Sequence, residues 1–292
     1  MANKNFLVQV IKNTRTLTIK KIKSEELFSD SEDIVAVEEP LEINIVFGKT
    51  TDRSKKNISV TMRTPDENDF DLAGGFLFTE GIITSAKDIL QVRYTASELE
   101  QNAQTNVVTV ELNSELVFDS EKLNRHFYTS SSCGVCGKTS IEMVQTNSCF
   151  TIIKNFPTVE RDVFFSLPDK LRAAQKNFNL TGAIHAAALF DTKGNLIAAK
   201  EDVGRHNALD KLIGDALRKN LLPLSHHILL VSGRTSFELI QKASMAGIPI
   251  VAAVGAPSSL AVELADENNM TLIGFLRGNN FNIYTGSDRI KN

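Results

Sequence analysis

The first half of the chain alternates apolar and polar residues with a period of two. The alternation is clear over 37–45, 58–62 and 107–112 and is typical of strands with one buried face. Over 66–80 it gives way to apolar residues at helical spacing, with acidic residues in the first turn and Gly81 as a C-terminal stop. The pattern predicts an α+β N-terminal domain in which strands pack on one main helix.

The second half has continuous apolar runs, as expected for strands that are covered on both faces. These runs occupy 226–231, 248–254 and 270–275. Helical stretches are predicted at 207–218, 236–245 and 258–266, and an antiparallel hairpin at 186–190 and 196–200. The order from Ala186 is β-β-α-β-α-β-α-β, so we expect an α/β domain with a largely parallel sheet.

Length and composition bound the class of protein. The chain has 292 residues, of which 42% are hydrophobic and 23% charged, which is typical of a globular protein with two domains. A net charge of −3 predicts no general attraction to nucleic acid or an acidic membrane. The first residues lack a signal-peptide core, and no apolar stretch reaches about 18 residues, so we expect a cytoplasmic protein.

The predicted organisation has three parts. Residues 1–130 form the α+β domain, 131–145 a mobile linker, and 146–292 the α/β domain. The linker assignment depends on the many Ser, Gly and Asn residues of the connecting segment from about 113 to 144.

A Cys-X-X-Cys pair, Cys133 and Cys136, lies in this linker between serines and glycines. Four interpretations compete. Zinc needs more ligands than the pair provides, although His126 could be a third. A thioredoxin-like dithiol should open a helix after a first strand, and an inert loop fits any isolated pair. A sulfur carrier fits because a thiolate on a flexible loop can meet both donor and acceptor. Cys149, in an apolar run, is interpreted as a buried small residue.

Three polar turns follow predicted strands and lead into helices: 201–207, 232–236 and 255–259. Turns at the carboxyl ends of parallel strands gather at one edge of the sheet, where helix N-termini favour anions. Any one turn could simply cap a helix. The three together, including Ser232, Gly233 and Arg234, predict a nucleotide or phosphate site.

A fourth stretch follows the strand around Leu272 and Ile273. It comprises Phe275, Leu276, Arg277, Gly278, Asn279 and Asn280. This stretch offers a stacking ring, a guanidinium for phosphate and two amides for a base edge. It is the predicted place of guanine recognition.

Other polar residues near these turns have less specific interpretations. His185 and His206 are isolated histidines near apolar residues, which usually fill a core or cap a helix, and for His185 the structural role is only slightly favoured over a chemical one. Glu201 and Asp202 beside Arg205 could act in acid–base chemistry, but an ion pair that holds the turn is the commoner arrangement.

The residues also resemble a known family, the formate dehydrogenase accessory sulfurtransferases (FdhD/NarQ). The motifs that carry this resemblance are Arg63-Thr64-Pro65, 75–83, Ser131–Gly137, Thr181-Gly182 with His185, 201–211, Ser232-Gly233-Arg234, 256–261 and 282–284. They extend over most of the chain. One departure is Asp66, where the family often has glycine, and we expect it to affect a turn.

The resemblance implies a function. It implies a carrier that takes sulfur from a cysteine desulfurase as a persulfide and passes it to bis-molybdopterin guanine dinucleotide, as formate dehydrogenase requires. Cys133 matches the persulfide cysteine, Cys136 its partner, and Phe275 to Asn280 the cofactor-binding stretch. GDP or GMP would mimic the nucleotide ends, no resident metal is implied, and the paired guanines favour a homodimer. A non-covalent chaperone for the same cofactor is the alternative.

The resemblance further implies a C-terminal domain similar to the cytidine deaminase fold. Deaminase chemistry is not expected, because the His-X-Glu and Pro-Cys-X-X-Cys motifs that hold catalytic zinc are missing.

Overall fold

A computed structural model describes residues 13–23, 26–95, 106–116 and 150–292. The predicted linker 131–145, including Cys133 and Cys136, lies outside the described residues, and so do His126 and Cys149. None of the described helices is long and apolar enough to cross a bilayer.

The first half contains a two-stranded hairpin and a four-stranded sheet in the order β4-β3-β6-β5. The strands are β1 (Thr14–Lys23), β2 (Glu26–Ala36), β3 (Glu39–Phe47), β4 (Ser54–Arg63), β5 (Ile89–Tyr94) and β6 (Val107–Leu112), and the helix is α1 (Asp69–Thr79). The predicted alternation is confirmed in β3 and β4, where Leu41, Ile43, Ile45 and Ile58 are buried. The predicted helix is confirmed as α1, and Gly81 follows its end at φ +71°.

The second half is built on a six-stranded sheet in the order β13-β12-β11-β10-β8-β9. All strands of this half are β7 (Val159–Glu160), β8 (His185–Asp191), β9 (Leu196–Asp202), β10 (His227–Val231), β11 (Ile250–Ala253), β12 (Thr271–Arg277), β13 (Asn280–Thr285) and β14 (Ile290–Lys291). Its helices are α2 (Arg161–Phe165), α3 (Leu167–Ala174), α4 (Lys176–Thr181), α5 (Arg205–Arg218), α6 (Phe237–Met245) and α7 (Ser259–Glu267).

The predicted α/β class and the order β-β-α-β-α-β-α-β are confirmed by the elements β8 to β12. The prediction of a largely parallel sheet is wrong, because among the five strand pairs described in this sheet only β10–β11 and β11–β12 are parallel. Short turns join β8 to β9 and β12 to β13, and a short turn can connect only antiparallel neighbours. The similarity to the cytidine deaminase fold stays a prediction.

The continuous apolar runs have the expected cause, since the central strands are buried on both faces. Leu229 and Val231 of β10 face a core that includes α5 and α6. Ile228 and Leu230 face the opposite core, where Leu171 of α3 packs.

The two halves share one core because α1 packs directly on α5. A Cβ atom on Gly75 would lie 1.9 Å from the carbonyl oxygen of Asp210, and one on Gly214 would lie 1.8 Å from that of Asp71. Only glycine allows the two backbones to approach this closely. The predicted domain boundaries themselves stay a prediction.

Candidate functional site

The carboxyl ends of β10, β11 and β12 bring the predicted turns together. The amide of Gly255 donates to the carbonyl of Gly233 at 3.2 Å, and the amide of Phe275 donates to that of Gly255 at 3.0 Å. Ser232, Gly233 and Arg234 therefore lie in one backbone network with the start of the Phe275–Asn280 stretch.

Glycines make this close approach possible. A Cβ on Gly255 would lie 2.9 Å from the carbonyl oxygen of Gly233, and one on Gly274 would lie 2.9 Å from Cδ of Pro257. Side chains at these positions would separate the turns. Because these positions are glycines, no side chain from them stands between a ligand and the backbone of the turns.

The Phe275–Asn280 stretch forms the end of β12, the turn that follows it and the first residue of β13. Phe275 has a φ of +55°, and the residue is 43% exposed, so it is accessible for stacking. Leu276 is fully buried, so only its backbone could contact a ligand.

The rest of this stretch is open to solvent. Arg277 is exposed, and its Nε donates to the carbonyl of Val254 at 3.1 Å. Gly278, Asn279 and Asn280 are also exposed. The hairpin tip therefore holds a guanidinium that is hydrogen-bonded to the backbone, next to two exposed asparagines.

His185 lies beside this network, since a Cβ on Gly233 would be 3.2 Å from its Nδ1. Burial lowers the pKa of His185, and the charges of Arg205 and His206 lower it further. The imidazole is consequently neutral near pH 7 and can both donate and accept a hydrogen bond.

His206 is buried and contacts two residues at the start of α6. Its Nε2 lies 3.3 Å from Oγ of Ser236 and 3.7 Å from Oε2 of Glu238. Burial on its own would raise the pKa of Glu238, but the hydrogen bonds with His206 and Ser236 outweigh burial and lower it to about 2. Glu238 is thus a carboxylate at neutral pH and takes no part as an acid there.

Glu201 and Asp202 hold structure in place. Both oxygens of Glu201 accept from the first amides of α4, those of Asn177 and Phe178, at 2.9 Å. Asp202 is fully buried and pairs with Nζ of Lys211 at 2.7 Å. The ion-pair interpretation therefore fits better than acid–base chemistry, although the cation is Lys211 and not the neighbouring Arg205.

The pairing with Lys211 also brings two of the family motifs together. Asp202 accepts from the amide of Thr64 at 3.1 Å, and Lys211 lies 3.0 Å from Oδ2 of Asp66. Asp66 belongs to a turn, as expected, since its Oδ1 accepts from the amide of Asn68 at 2.9 Å, and its carboxylate also helps to neutralise a buried lysine.

Several donors at this edge have no acceptor among the described residues. Nε of Arg205 and Oγ1 of Thr235 are buried without a hydrogen-bond partner. Buried polar atoms are normally paired, so unpaired donors beside exposed Arg234 and Arg277 suit an anionic ligand. The residues present therefore fit the phosphates of a nucleotide.

The segment 161–181 contributes residues that the sequence did not single out. It was not predicted to be helical, yet α3 and α4 line a cavity together with His185 and Ser232. Buried Leu167 and Leu171, four residues apart, are the helical signal that could have revealed it.

The zinc interpretation concerns residues that lie mostly outside the described part of the chain. In the described part of the chain, no three His, Cys, Asp or Glu side chains are grouped as metal ligands. The cysteine pair and His126 lie outside it.

The fold and the site define a mixed α/β protein with an anion-suited edge at its central parallel strands. A solved structure from Desulfotalea psychrophila, described as a candidate formate dehydrogenase accessory protein, shares this fold. Its TM-score is 0.71 at 21% identity, over 96% of this chain and 100% of that one.

Sequence comparisons give the particular family. The model of the FdhD/NarQ family matches residues 36–291. A protein of Streptomyces avermitilis named sulfur carrier protein FdhD is 50% identical over 88% of this chain and 89% of its own. One of Mycobacterium bovis with the same name is 46% identical over 93% and 96%. The chain belongs to the FdhD/NarQ family.

Proposed function

We propose that the protein is a sulfur carrier that serves formate dehydrogenase. Curated relatives at up to 50% identity are named sulfur carrier protein FdhD, and this observation carries the proposal. The carrier group is the thiolate of Cys133, with a cysteine desulfurase as donor. The acceptor is the molybdenum of bis-molybdopterin guanine dinucleotide, and we place the carrier in the cytoplasm.

Loading is a thiol exchange. The thiolate of Cys133 attacks the outer sulfur of the desulfurase's cysteine persulfide, a new S–S bond forms on Cys133, and the desulfurase cysteine leaves as a thiolate. No net oxidation occurs in this step.

Delivery as sulfide needs two electrons, because the transferred atom is reduced. Attack of the Cys136 thiolate on the sulfur of Cys133 supplies them: a Cys133–Cys136 disulfide forms and sulfide departs to the acceptor. Reduction of that disulfide by a cellular thiol then restores the carrier.

The acceptor is a substrate of the carrier, and the edge of the sheet is where we place it. Arg234 and Arg277 would bind the phosphates, and the amides of Asn279 and Asn280 with the ring of Phe275 would contact a guanine. The exposure of these residues and the unpaired donors nearby support this placement.

Mass spectrometry after incubation with a desulfurase and cysteine tests the carrier. We expect an adduct of about 32 Da, one sulfur atom, on the peptide with Cys133. Cys133→Ser should lose both the adduct and the activation of formate dehydrogenase. Cys149→Ser, a matched control, should keep both.

An unmodified Cys133 peptide in a protein that still activates formate dehydrogenase would contradict the proposal. That result would favour a non-covalent chaperone for the same cofactor. Stoichiometric zinc in the purified protein would instead support the metal interpretation of the cysteine pair.

A further inference from the structure

A cavity of about 600 Å³ lies between α3, α4 and the edge of the large sheet. Its lining includes Leu171, Gln175, Phe178, His185 and Ser232. This volume suits a small molecule, since ligand pockets are typically about 300–1,000 Å³. The cavity continues the edge site, because Val254 lines it and accepts the hydrogen bond of Arg277.

Gln175 is the reason to expect a ligand in the cavity. It lies between α3 and α4 and is only 4% exposed, yet its Nε2 has no hydrogen-bond partner. An amide nitrogen in this situation has lost its water without gaining an acceptor, which is unfavourable. A bound molecule with a carbonyl oxygen would provide that acceptor.

The other polar groups inside the cavity are also uncharged donors. Oγ of Ser232 accepts from the amide of Ala186 at 2.9 Å, which leaves its hydroxyl hydrogen to be donated. His185 has a lowered pKa because it is buried near Arg205, so it is neutral and carries an N–H. Neutral donors match the carbonyl and ring-nitrogen acceptors of an uncharged ring better than they match an anion.

Charges occur only among the exposed lining residues, and they are of both signs. The guanidinium of Arg172 lies 4.0 Å from the ring centre of Phe178, and Asp169 is also exposed. An exposed carboxylate can accept from an exocyclic amino group, whereas it would repel phosphate. Phe178, Leu171 and Val254 add apolar walls.

We propose that this cavity binds an amino-oxo-pyrimidine ring, the unit that guanine and pterin share, with its carbonyl oxygen accepting from Nε2 of Gln175. The ligand's phosphates remain outside, at Arg234 and Arg277. The inference rests on the proposed function, which names the molybdenum cofactor as the sulfur acceptor. It adds the residues that would bind one ring of that cofactor.

Calorimetric titration with GMP and, separately, with 6-hydroxymethylpterin tests the cavity. We expect Gln175→Leu to weaken binding of the matching probe about tenfold or more, as loss of a buried hydrogen bond would. Weakening of GMP binding alone would place guanine in the cavity instead of at Asn279 and Asn280, and weakening of pterin binding alone would place pterin there. Weakening of both would show that the cavity recognises the edge that the two rings share. Asn179→Ala, an exposed change on α4, is the matched control and should bind as the parent does.

Thermal unfolding without a probe separates binding from folding. Gln175→Leu should melt no lower than the parent, since it removes a buried unpaired donor. If it does fold poorly, Gln175→Glu keeps the shape and should repel the carbonyl oxygen.

Wild-type affinity in both Gln175 variants, or no binding of either probe to the parent, would overturn the inference. If Arg277→Ala weakens GMP binding while Gln175→Leu weakens binding of neither probe, the edge site stands and the cavity assignment fails. Sulfur loading on Cys133 is measured separately, so its failure is distinguishable.

Discussion

Buried polar groups are paired differently in two regions, the contact between the two halves and the edge of the large sheet. At the contact, buried cations are matched by carboxylates. Lys211 lies within 3.0 Å of both Asp202 and Asp66, and Lys242 pairs with Asp210 at 2.9 Å. Burial alone would lower the pKa of Lys211, but the two carboxylates outweigh burial and raise it.

At the edge, by contrast, some buried donors have no acceptor in the described part of the chain. Arg205, Gln175 and Thr235 each leave a buried donor unpaired within the described residues, and the arginines Arg234 and Arg277 are exposed. Matched charges fix one conformation, whereas unmatched donors keep binding capacity for a partner. Both regions contain arginine or lysine, so residue type does not distinguish them. Whether the buried donors are paired does distinguish the scaffold from the proposed binding surface.

The largest expected effect comes from breaking a matched pair. Lys211→Met leaves Asp202 and Asp66 without their buried cation and should cost about 3–5 kcal/mol of unfolding free energy. Urea denaturation measures this loss. Lys219→Met removes an exposed partner of Asp215 and should cost below about 1 kcal/mol. Equal losses in the two variants would show that burial does not decide the value of these pairs.

A smaller effect is expected from separating the halves sterically. In Gly75→Ala the new methyl group meets the backbone of α5, and we expect a loss of about 1–3 kcal/mol. Gly74→Ala is the matched control, because its nearest neighbour would be Cδ1 of Ile89 at 3.8 Å. That control should gain about 0.5–1 kcal/mol from helix preference. Chemical denaturation of both variants would reveal whether the close α1–α5 contact is required.

The smallest effect concerns Glu238, a carboxylate at the edge that is matched by hydrogen bonds. Its pKa of about 2 is below the ordinary value of 4.5, so its stabilising effect is present above about pH 4.5 and is lost as the pH falls through 2. Glu238→Gln should therefore cost about 1 kcal/mol at pH 7 and progressively less in acid. Denaturation of both proteins at pH 7 and pH 3 measures the change. A pH-independent difference would mean that the charge of Glu238 does not contribute.

Much of the fold was predictable because its signals are local. The runs that became β10, β11 and β12 and the helices α5, α6 and α7 follow from periodicity. The hairpin of β1 and β2 was missed, since it lacks a buried face that would impose alternation. β13 was missed for another reason: its pairing with β12 depends on the turn geometry at Gly278, where φ is +52°.

The candidate site was only half predictable. The sequence pointed to the turn around Arg234 and the stretch around Arg277, because both follow buried strands and the carboxyl ends of parallel strands gather at one edge of the sheet. Gln175 gave no such signal. A glutamine at a helix end is ordinary, and its interest arises only because the fold buries it without a partner.

The sequence by itself determined the α/β class, the order of the elements and the family, since these depend on periodicity and on motifs readable along the chain. Tertiary structure alone decided that Lys211 neutralises Asp202 and Asp66, that Gly75 and Gly214 join the two halves, and that α3 and α4 enclose a cavity. Those outcomes depend on distances between residues far apart in the chain and on which polar atoms lose water. Neither quantity exists until the chain has folded.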